Sequence, residues 1–149
     1  MTLDGMPANR ELVEQIFQDA PFLQSLGIEL DAFGFGWCET KVRTTRLLQQ
    51  QHGFIHAGAL MTIADHTCGA AAASTMPESK DVITVENKIS FLRPAAGPIL
   101  LCRSDVLRSG RNLVFAEADV WIERDGARVL AAKMSSTLAV IPLGSRKSV

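Results

Sequence analysis

The sequence predicts an α+β fold: one long hydrophobic helix wrapped by a curved antiparallel sheet of five to six strands, with a short additional helix at the N-terminus. The first observation behind this prediction is that residues 57–74 are apolar on nearly every face of a helix, so a surface must curve around them. The second is that the C-terminal half alternates apolar and polar residues in runs separated by turns, which is typical of antiparallel strands.

The N-terminal elements are expected to be a helix and a hairpin. Asn9 is a suitable N-cap for a short helix, and Pro21 ends it. The apolar face of this helix consists of Leu12, Val13, Ile16 and Phe17. Residues 27–31 and 37–43 flank a Gly-Phe-Gly turn, so they are predicted to pair as two antiparallel strands.

The long helix and the remaining strands follow along the chain. After the polar residues 44–51, the helix is expected over about residues 57–74, buried on all sides, and Pro77 closes it. Alternating runs then predict strands at residues 83–91, 99–107, 113–123 and 128–140. Asp125-Gly126, between the last two runs, is a strong hairpin signal. These strands are expected to form a four-stranded meander that the N-terminal hairpin completes.

The composition indicates a single globular domain at residues 22–142, preceded by an N-terminal helical segment at 1–21 and followed by a C-terminal tail at 143–149. Of the 149 residues, 47% are hydrophobic and 21% are charged, which is ordinary for a folded protein. The formal net charge of −1 gives no electrostatic reason to expect a nucleic acid or an anionic membrane as a partner.

The sequence also indicates a cytoplasmic protein that does not insert into a membrane. Cys38, Cys68 and Cys102 are an odd number without metal-binding spacing, so reduced thiols are expected. The N-terminus lacks the charged and apolar regions of a signal peptide. The longest apolar stretch contains Asp65 and His66 near its middle, which argues against a membrane span.

Asp65 is the residue that most clearly points to chemistry. A carboxylate within an apolar helix is costly unless it is paired, hydrogen-bonded or neutralised. The same helix opens after His56 with small residues, and the free N–H groups of a helix N-terminus stabilise developing negative charge. One segment therefore offers a base and an oxyanion-binding group, which are two of the parts that an acyl-transfer enzyme needs.

Spacing along this helix predicts an oligomer if both features act in catalysis. Asp65 lies eight residues after Ala57, which is about 12 Å along the helix axis. One ester or thioester carbonyl cannot touch both ends of that distance. A second, antiparallel copy of the helix would bring its N-terminus beside Asp65. The sequence therefore predicts a homodimer with two composite active sites, in which residues 82–91 pair across the interface.

Two motifs resemble those of a known family. The pattern Gln-x-x-Gly-x-x-His-Ala-Gly at residues 50–58, followed by Asp65, is similar to the Asn-x-x-Gly-x-x-His-Gly-Gly…Asp signature of the PaaI-type acyl-CoA thioesterases of the hotdog superfamily. The segment ITVEN…FLRPA at residues 83–95 resembles the second block of that family, a strand ending in an Arg/Ser-Pro-Ala turn. The likeness covers about residues 23–141 and implies the hotdog fold, in which a curved sheet wraps the helix.

The resemblance implies hydrolysis of acyl-CoA thioesters to a free acid and coenzyme A, without a metal or another cofactor. Asp65 matches the carboxylate that activates water or attacks the thioester. The Ala57 or Gly58 amide of the partner subunit matches the oxyanion donor. Gln50 stands where the family has an Asn that holds the carbonyl or the water, and Thr84 matches a Ser/Thr near that water. The family further implies that two dimers form a homotetramer.

Two more residues receive supporting roles. His56 is expected to pack or hydrogen-bond beside the helix start, and Gly53 of the motif is assigned to substrate binding. The chain departs from the family pattern at Gln50, which is one methylene longer than Asn, and at Ala57, which is excluded from positive φ where Gly is not. These departures leave the acyl group open, and the motif resembles most a branch that acts on medium- and long-chain acyl-CoA.

Several other polar residues have both a functional and a purely structural interpretation. Arg93, Arg108 and Arg111 lie in predicted turns and could bind the phosphates of coenzyme A, although exposed arginines are usually only solvated. His52 and His56 stand four residues apart, but the intervening glycine favours a loop, so a metal site is not expected.

Two other functions stay open at this point. One is a hotdog dehydratase or hydratase of 3-hydroxyacyl thioesters, for which His56 and Asp65 are the candidate pair. The other is a non-catalytic acyl-CoA-binding protein, in which Asp65 would have a structural role. Incubation with acyl-CoA separates the three functions, since they give free coenzyme A, an enoyl product or unchanged ligand.

Overall fold

A curved six-stranded antiparallel sheet packs around one long helix in the computed structural model, which describes residues 5–144. In chain order the elements are α1 (Arg10–Gln18), α2 (Pro21–Leu26), β1 (Glu29–Gly34), β2 (Trp37–Arg43), a 3-10 helix (Arg46–Leu48), α3 (Ala57–Ser74), β3 (Lys80–Phe91), β4 (Ile99–Ser109), β5 (Leu113–Arg124) and β6 (Ala127–Pro142). The predicted α+β class, the wrapped helix and the strand number are confirmed. Residues 1–4 of the predicted N-terminal segment and 145–149 of the predicted tail lie outside the described residues. Within the described range, no helix is both long and apolar enough to cross a membrane.

The first helix forms as expected, but the second was not predicted. Asn9 caps α1, because its side-chain oxygen accepts a hydrogen bond of 3.1 Å from the Leu12 amide. Pro21 does more than end this helix, since it occupies the first turn of α2, where its missing N–H costs nothing. Gly27 ends α2 with φ 74°, so the hairpin begins at Glu29 instead of at residue 27.

The central helix α3 has the predicted bounds, and its last five residues, 70–74, are all buried. The core lies between this helix and the concave face of the sheet, where Ile63, Leu100 and Met134 are fully buried. Burial of each such side chain stabilises the fold by about 1.5–3 kcal/mol.

The expectation that α3 is buried on all sides is wrong. One face of its N-terminal half is exposed or half-buried: Gly58, Met61, Thr62, Asp65 and Gly69. These positions recur at helical spacing and therefore form one stripe. The sheet and α1 pack against the helix, and on this stripe β3 reaches Asp65 through Thr84 and Asn87.

The strand order is β1-β2-β4-β5-β6-β3, so the predicted meander is confirmed for β4, β5 and β6 and is wrong for β3. The third strand pairs with β6 at the edge of the sheet, and β4 pairs with β2 from the N-terminal hairpin. The turn residues Asp125-Gly126 predicted the pairing of β5 with β6, but alternation carries no information on the neighbour of a strand that follows a long connection. As a result β3, with 12 residues, is an edge strand that pairs on one side only within the described sheet.

A β-bulge interrupts the alternation of β3. Its pairing with β6 shifts between Thr84 and Glu86, which leaves Val85 as the extra residue. Ile83 and Val85 are therefore 57% and 62% exposed, whereas Ile89 packs against the core. The regular alternation predicted for residues 83–91 is therefore broken, because the bulge reverses which side chains face the core partway along the strand.

Candidate active site

Asp65 is held by two side chains of β3. Its Oδ1 accepts a hydrogen bond of 2.9 Å from the Thr84 hydroxyl and one of 2.7 Å from the Asn87 side-chain amide. In the part of the chain that the structure describes, no group donates to Oδ2. One carboxylate oxygen is therefore fixed, and the other is available for chemistry.

The bulge in β3 makes this arrangement possible. Residues three apart in a regular strand point to opposite faces of the sheet. Because Val85 is the extra residue of the bulge, Thr84 and Asn87 point to the same face, towards α3. The family motif pointed to Thr84, but Asn87 was missed, since simple alternation puts it with Ile83 on the other face. The sequence did contain one indication of a role for Asn87, because it is a polar residue among the otherwise apolar residues that alternate along β3.

A cleft of about 300 Å³ lies beside Asp65. The unpredicted helix α2 contributes Phe22 and Leu23 to its wall, and α3 contributes Met61 and Gly58. Phe22 is 65% exposed, so an aromatic ring stands at the mouth of a cleft that has a carboxylate inside it. The walls suit an apolar group bound next to the reactive oxygen.

The start of α3 is capped by His56. The Gly58 amide donates a hydrogen bond of 2.8 Å to His56 Nδ1, so His56 forms the hydrogen bond expected beside the helix start. The Gly58 amide is therefore already hydrogen-bonded, whereas the Ala57 amide has no acceptor among residues 5–144. Of the two predicted oxyanion donors, Ala57 is the one free to bind a ligand.

The loop before α3 is shaped by Gln50 and Gly53. The Gly53 amide donates to the Gln50 carbonyl at 3.0 Å, and Gly53 has φ +82°, a conformation that requires glycine. The His52 amide donates to the Gln50 side-chain oxygen, so the Gln50 carboxamide NH₂ is the end left for a ligand. Gly53 therefore shapes the loop without offering a side chain to the substrate.

The structure places the predicted site residues in two clefts of one chain. Gln50, His56, Ala57 and Arg93 line a cleft of about 540 Å³, whereas Asp65 lines the smaller one. Ala57 and Asp65 are therefore apart within a single protomer, in keeping with their spacing along α3, whereas Gly58 lines the same cleft as Asp65.

The three arginines do not converge within one chain. Arg93 lines the larger cleft and donates a hydrogen bond of 2.9 Å to the Leu130 carbonyl. Arg108 and Arg111 are exposed at the β4–β5 turn. This turn lies at the other end of α3, because Ser109 is 2.9 Å from the Thr75 hydroxyl that follows the helix.

His66 and Cys68 belong to the surroundings of the site. Burial lowers the pKa of His66, while the neighbouring Asp65 and a backbone hydrogen bond at Ile16 oppose this shift. The His66 ring packs edge-on against Phe17, with the ring centres 4.7 Å apart. Burial raises the pKa of the Cys68 thiol to about 12, so this cysteine is a core residue and not a nucleophile.

The chain is similar to proteins of one family. A family model described as the Thioesterase superfamily matches residues 52–128, which include Asp65, Thr84 and Asn87. A thioesterase family protein from Silicibacter pomeroyi is 39% identical, with a TM-score of 0.86 over 89% of this chain and 97% of that one.

Two more distant structures share the fold. A thioesterase from Haemophilus influenzae is 24% identical, with a TM-score of 0.82 over 96% of this chain and all of the other (100%). The E. coli PaaI protein, from the phenylacetic acid degradation operon, is 17% identical, with a TM-score of 0.80 over 88% of this chain and 91% of its own. The hotdog fold implied by the sequence motifs is therefore confirmed.

Proposed function

The chain belongs to the thioesterase superfamily, and on that premise we propose that it hydrolyses acyl-CoA thioesters to the free acid and coenzyme A. The observation that carries the proposal is the anchored carboxylate of Asp65, whose Oδ1 accepts two hydrogen bonds while Oδ2 receives none from the described chain. A fixed carboxylate beside an apolar cleft is suited to activating one water molecule against a bound acyl group.

Hydrolysis of a thioester needs a base and an oxyanion-binding group, and the site offers a candidate for each. In one route Asp65 Oδ2 takes a proton from water as the water oxygen bonds to the thioester carbon; the carbon–sulfur bond then breaks, and coenzyme A leaves as a thiolate. In the other route Oδ2 itself bonds to the thioester carbon and expels the thiolate, and a water molecule then hydrolyses the acyl–Asp65 anhydride to the free acid and restores the carboxylate. Because a thiol has an ordinary pKa near 8.5, the leaving group needs little help from an acid.

The negative charge on the carbonyl oxygen needs a donor, and the Ala57 amide of a second subunit supplies it in this proposal. Asp65 and Ala57 of one chain are about 12 Å apart along the helix. The uncovered stripe of α3, which includes Gly58, Met61 and Asp65, gives a second copy of the helix a surface to pack on. An antiparallel partner helix on this stripe completes two equivalent sites.

The two clefts are assigned to the two parts of the substrate. The acyl group lies beside Asp65 against Phe22, Leu23 and Met61. Coenzyme A follows the larger cleft, where the Gln50 carboxamide and Arg93 offer donors to its polar groups. Arg93 is the best candidate for a phosphate contact, because it lines this cleft.

A dehydratase is less well supported by the geometry. Such an enzyme needs a histidine and a carboxylate at adjacent carbons of the substrate. His56 Nδ1 already accepts the Gly58 amide, so only Nε2 of this histidine is left for proton transfer. The binding-module alternative gains no support from Asp65, whose Oδ2 takes no part in the hydrogen bonds of the described fold.

Release of coenzyme A tests the proposal. The protein is incubated with saturated acyl-CoA of several chain lengths and, separately, with 3-hydroxyacyl-CoA, from which a dehydratase would form an enoyl product, and the products are separated by chromatography. We expect free coenzyme A from the wild type and a loss of at least about 100-fold in Asp65→Asn, which keeps the shape of the side chain but removes the base. An enoyl product would support the dehydratase. Unchanged acyl-CoA, or an Asp65→Asn variant as active as the wild type, would overturn the proposal.

A further inference from the structure

Asn87 has contacts that fit a role in the reaction better than a role in the fold. We infer that it is a positioning residue: it fixes the Asp65 carboxylate so that Oδ2 faces the cleft, an inference that rests on Asp65 acting as proposed above. Asn87 donates to Asp65 Oδ1 at 2.7 Å and lines the same cleft. It stands in β3 three residues after Thr84, the other donor to that oxygen.

Two donors restrain Asp65 in a way that one cannot. With a single hydrogen bond to Oδ1, the carboxylate can rotate about that contact and swing Oδ2 away from the cleft. Thr84 and Asn87 approach Oδ1 from two successive inward positions on β3, so they fix the plane of the group. The bulge at Val85 is required for this, because it brings both donors to one face of the strand.

The structural cost of Asn87 points to a functional reason for its presence. Its own side-chain oxygen is buried without a hydrogen-bond partner within the described chain, which is unfavourable for folding. The inward neighbours on this strand, Val82 and Ile89, pack against the core. A leucine of similar size would avoid the unpaired oxygen, so the amide is better explained by its contact with Asp65.

The neutral charge of both donors also suits a base. Thr84 and Asn87 stabilise the ionised carboxylate without cancelling its charge, as a lysine or arginine at either position would do. Among the residues lining the cleft, His66 is the other titratable group, and burial lowers its pKa. The other charged side chains near this point of β3, Glu86 and Lys88, are exposed.

Substitution by leucine tests the positioning role. In Asn87→Leu we expect kcat to fall by about 10- to 100-fold, the usual cost of losing a residue that orients a reactive ligand, while KM stays within about two-fold. A loss in kcat without a rise in KM distinguishes a positioning role from a lost substrate contact. An unchanged kcat, or a change confined to KM, would overturn the inference.

Two further variants separate donation from packing. Asn87→Asp keeps the shape, removes both amide donors and adds a like charge, so its kcat should fall below that of Asn87→Leu at neutral pH. Ser136→Ala is the matched control, since Ser136 pairs with Asn87 in the sheet and its buried hydroxyl likewise lacks a partner in the described structure. We expect wild-type kcat in Ser136→Ala. An equal loss in the control, or wild-type activity in Asn87→Asp, would show that packing and not donation matters.

One readout needs no substrate and so separates this inference from the proposed function. The carboxyl ¹³C chemical shift of Asp65 is compared at one neutral pH in wild type, Asn87→Leu and the Ser136→Ala control, with thermal unfolding as the check on folding. We expect this chemical shift to change in Asn87→Leu and to keep its wild-type value in Ser136→Ala, because only Asn87→Leu removes a hydrogen bond to the carboxylate. An identical chemical shift in wild type and Asn87→Leu would overturn the inference even if coenzyme A is released. If no acyl-CoA is hydrolysed but the chemical shift changes, Asn87 orients Asp65 and the proposed function fails.

Discussion

At the scale of single residues, His66 links stability to pH. Burial lowers its pKa, so the ring is neutral in the folded protein. In the unfolded chain it takes up a proton near its ordinary pKa of about 6.5. Below that pH the unfolded state binds more protons than the folded state, so the free energy of unfolding falls as the pH falls.

We therefore expect His66→Gln to have a flatter dependence of stability on pH than the wild type. Urea unfolding at equal protein concentration, at about pH 7.5 and about pH 5.5, measures the difference. His52→Gln is the matched control, because His52 is exposed in the loop before α3 and should leave the pH dependence unchanged. Parallel curves for the wild type and His66→Gln would contradict the assignment.

The residues of the candidate site were predictable to different degrees. Asp65 stood out because a carboxylate in an apolar helix needs an explanation. Gln50 and Thr84 were identified only through the family motif, since a polar residue in a loop or strand carries no such signal alone. Asn87 was missed because its orientation depends on the bulge at Val85, and that bulge arises from pairing with a distant strand.

At the scale of elements, α2 is the largest addition that the structure makes to the sequence prediction. Its six residues are too few for a periodic pattern to be recognised, and Pro21 by itself indicates only the end of the first helix. The helix nevertheless brings Phe22 and Leu23 to the cleft of Asp65. The bounds of α3, by contrast, were predicted correctly, because a mostly apolar segment lies between the polar residues 44–51 and Pro77.

Phe22 should influence which acyl groups are used. In Phe22→Ala we expect a higher KM for medium- and long-chain acyl-CoA and little change for acetyl-CoA, because only longer chains reach the ring. For these longer substrates KM should rise by about 10-fold or more, which corresponds to the free energy of removing such an apolar contact. Leu47→Ala, which removes an exposed apolar side chain of the 3-10 helix, serves as the control. Equal changes for all acyl chains would place the acyl group elsewhere.

At the scale of the whole molecule, two surfaces of the described chain lack a covering element. The stripe of α3 around Asp65 is open, and β3 is a 12-residue edge strand with Ile83 and Val85 exposed. A long apolar edge favours pairing with another strand. Antiparallel contact of two α3 helices together with pairing of two β3 strands would cover both surfaces. The assembly of two such dimers into a tetramer stays a prediction.

Ala57→Pro gives a direct way to remove the proposed oxyanion donor. Ala57 is the first residue of α3, where proline is well tolerated, and the preceding His56 has the extended conformation (φ −62°, ψ 141°) that a following proline prefers. The substitution deletes one N–H and leaves Gly58 and its bond to His56 in place. Loss of such a donor typically costs about 100- to 1,000-fold in kcat. Ala57→Gly, which keeps the N–H, should retain activity.

Mixing two inactive variants tests the composite site most directly. Asp65→Asn and Ala57→Pro are each purified, refolded together and assayed for release of coenzyme A, with heterodimers separated by two affinity tags. If each site combines Asp65 of one subunit with Ala57 of the other, a heterodimer has one intact site and should recover up to about half of the wild-type activity. Verified heterodimers without any recovered activity would contradict the shared site and place both groups within a single chain.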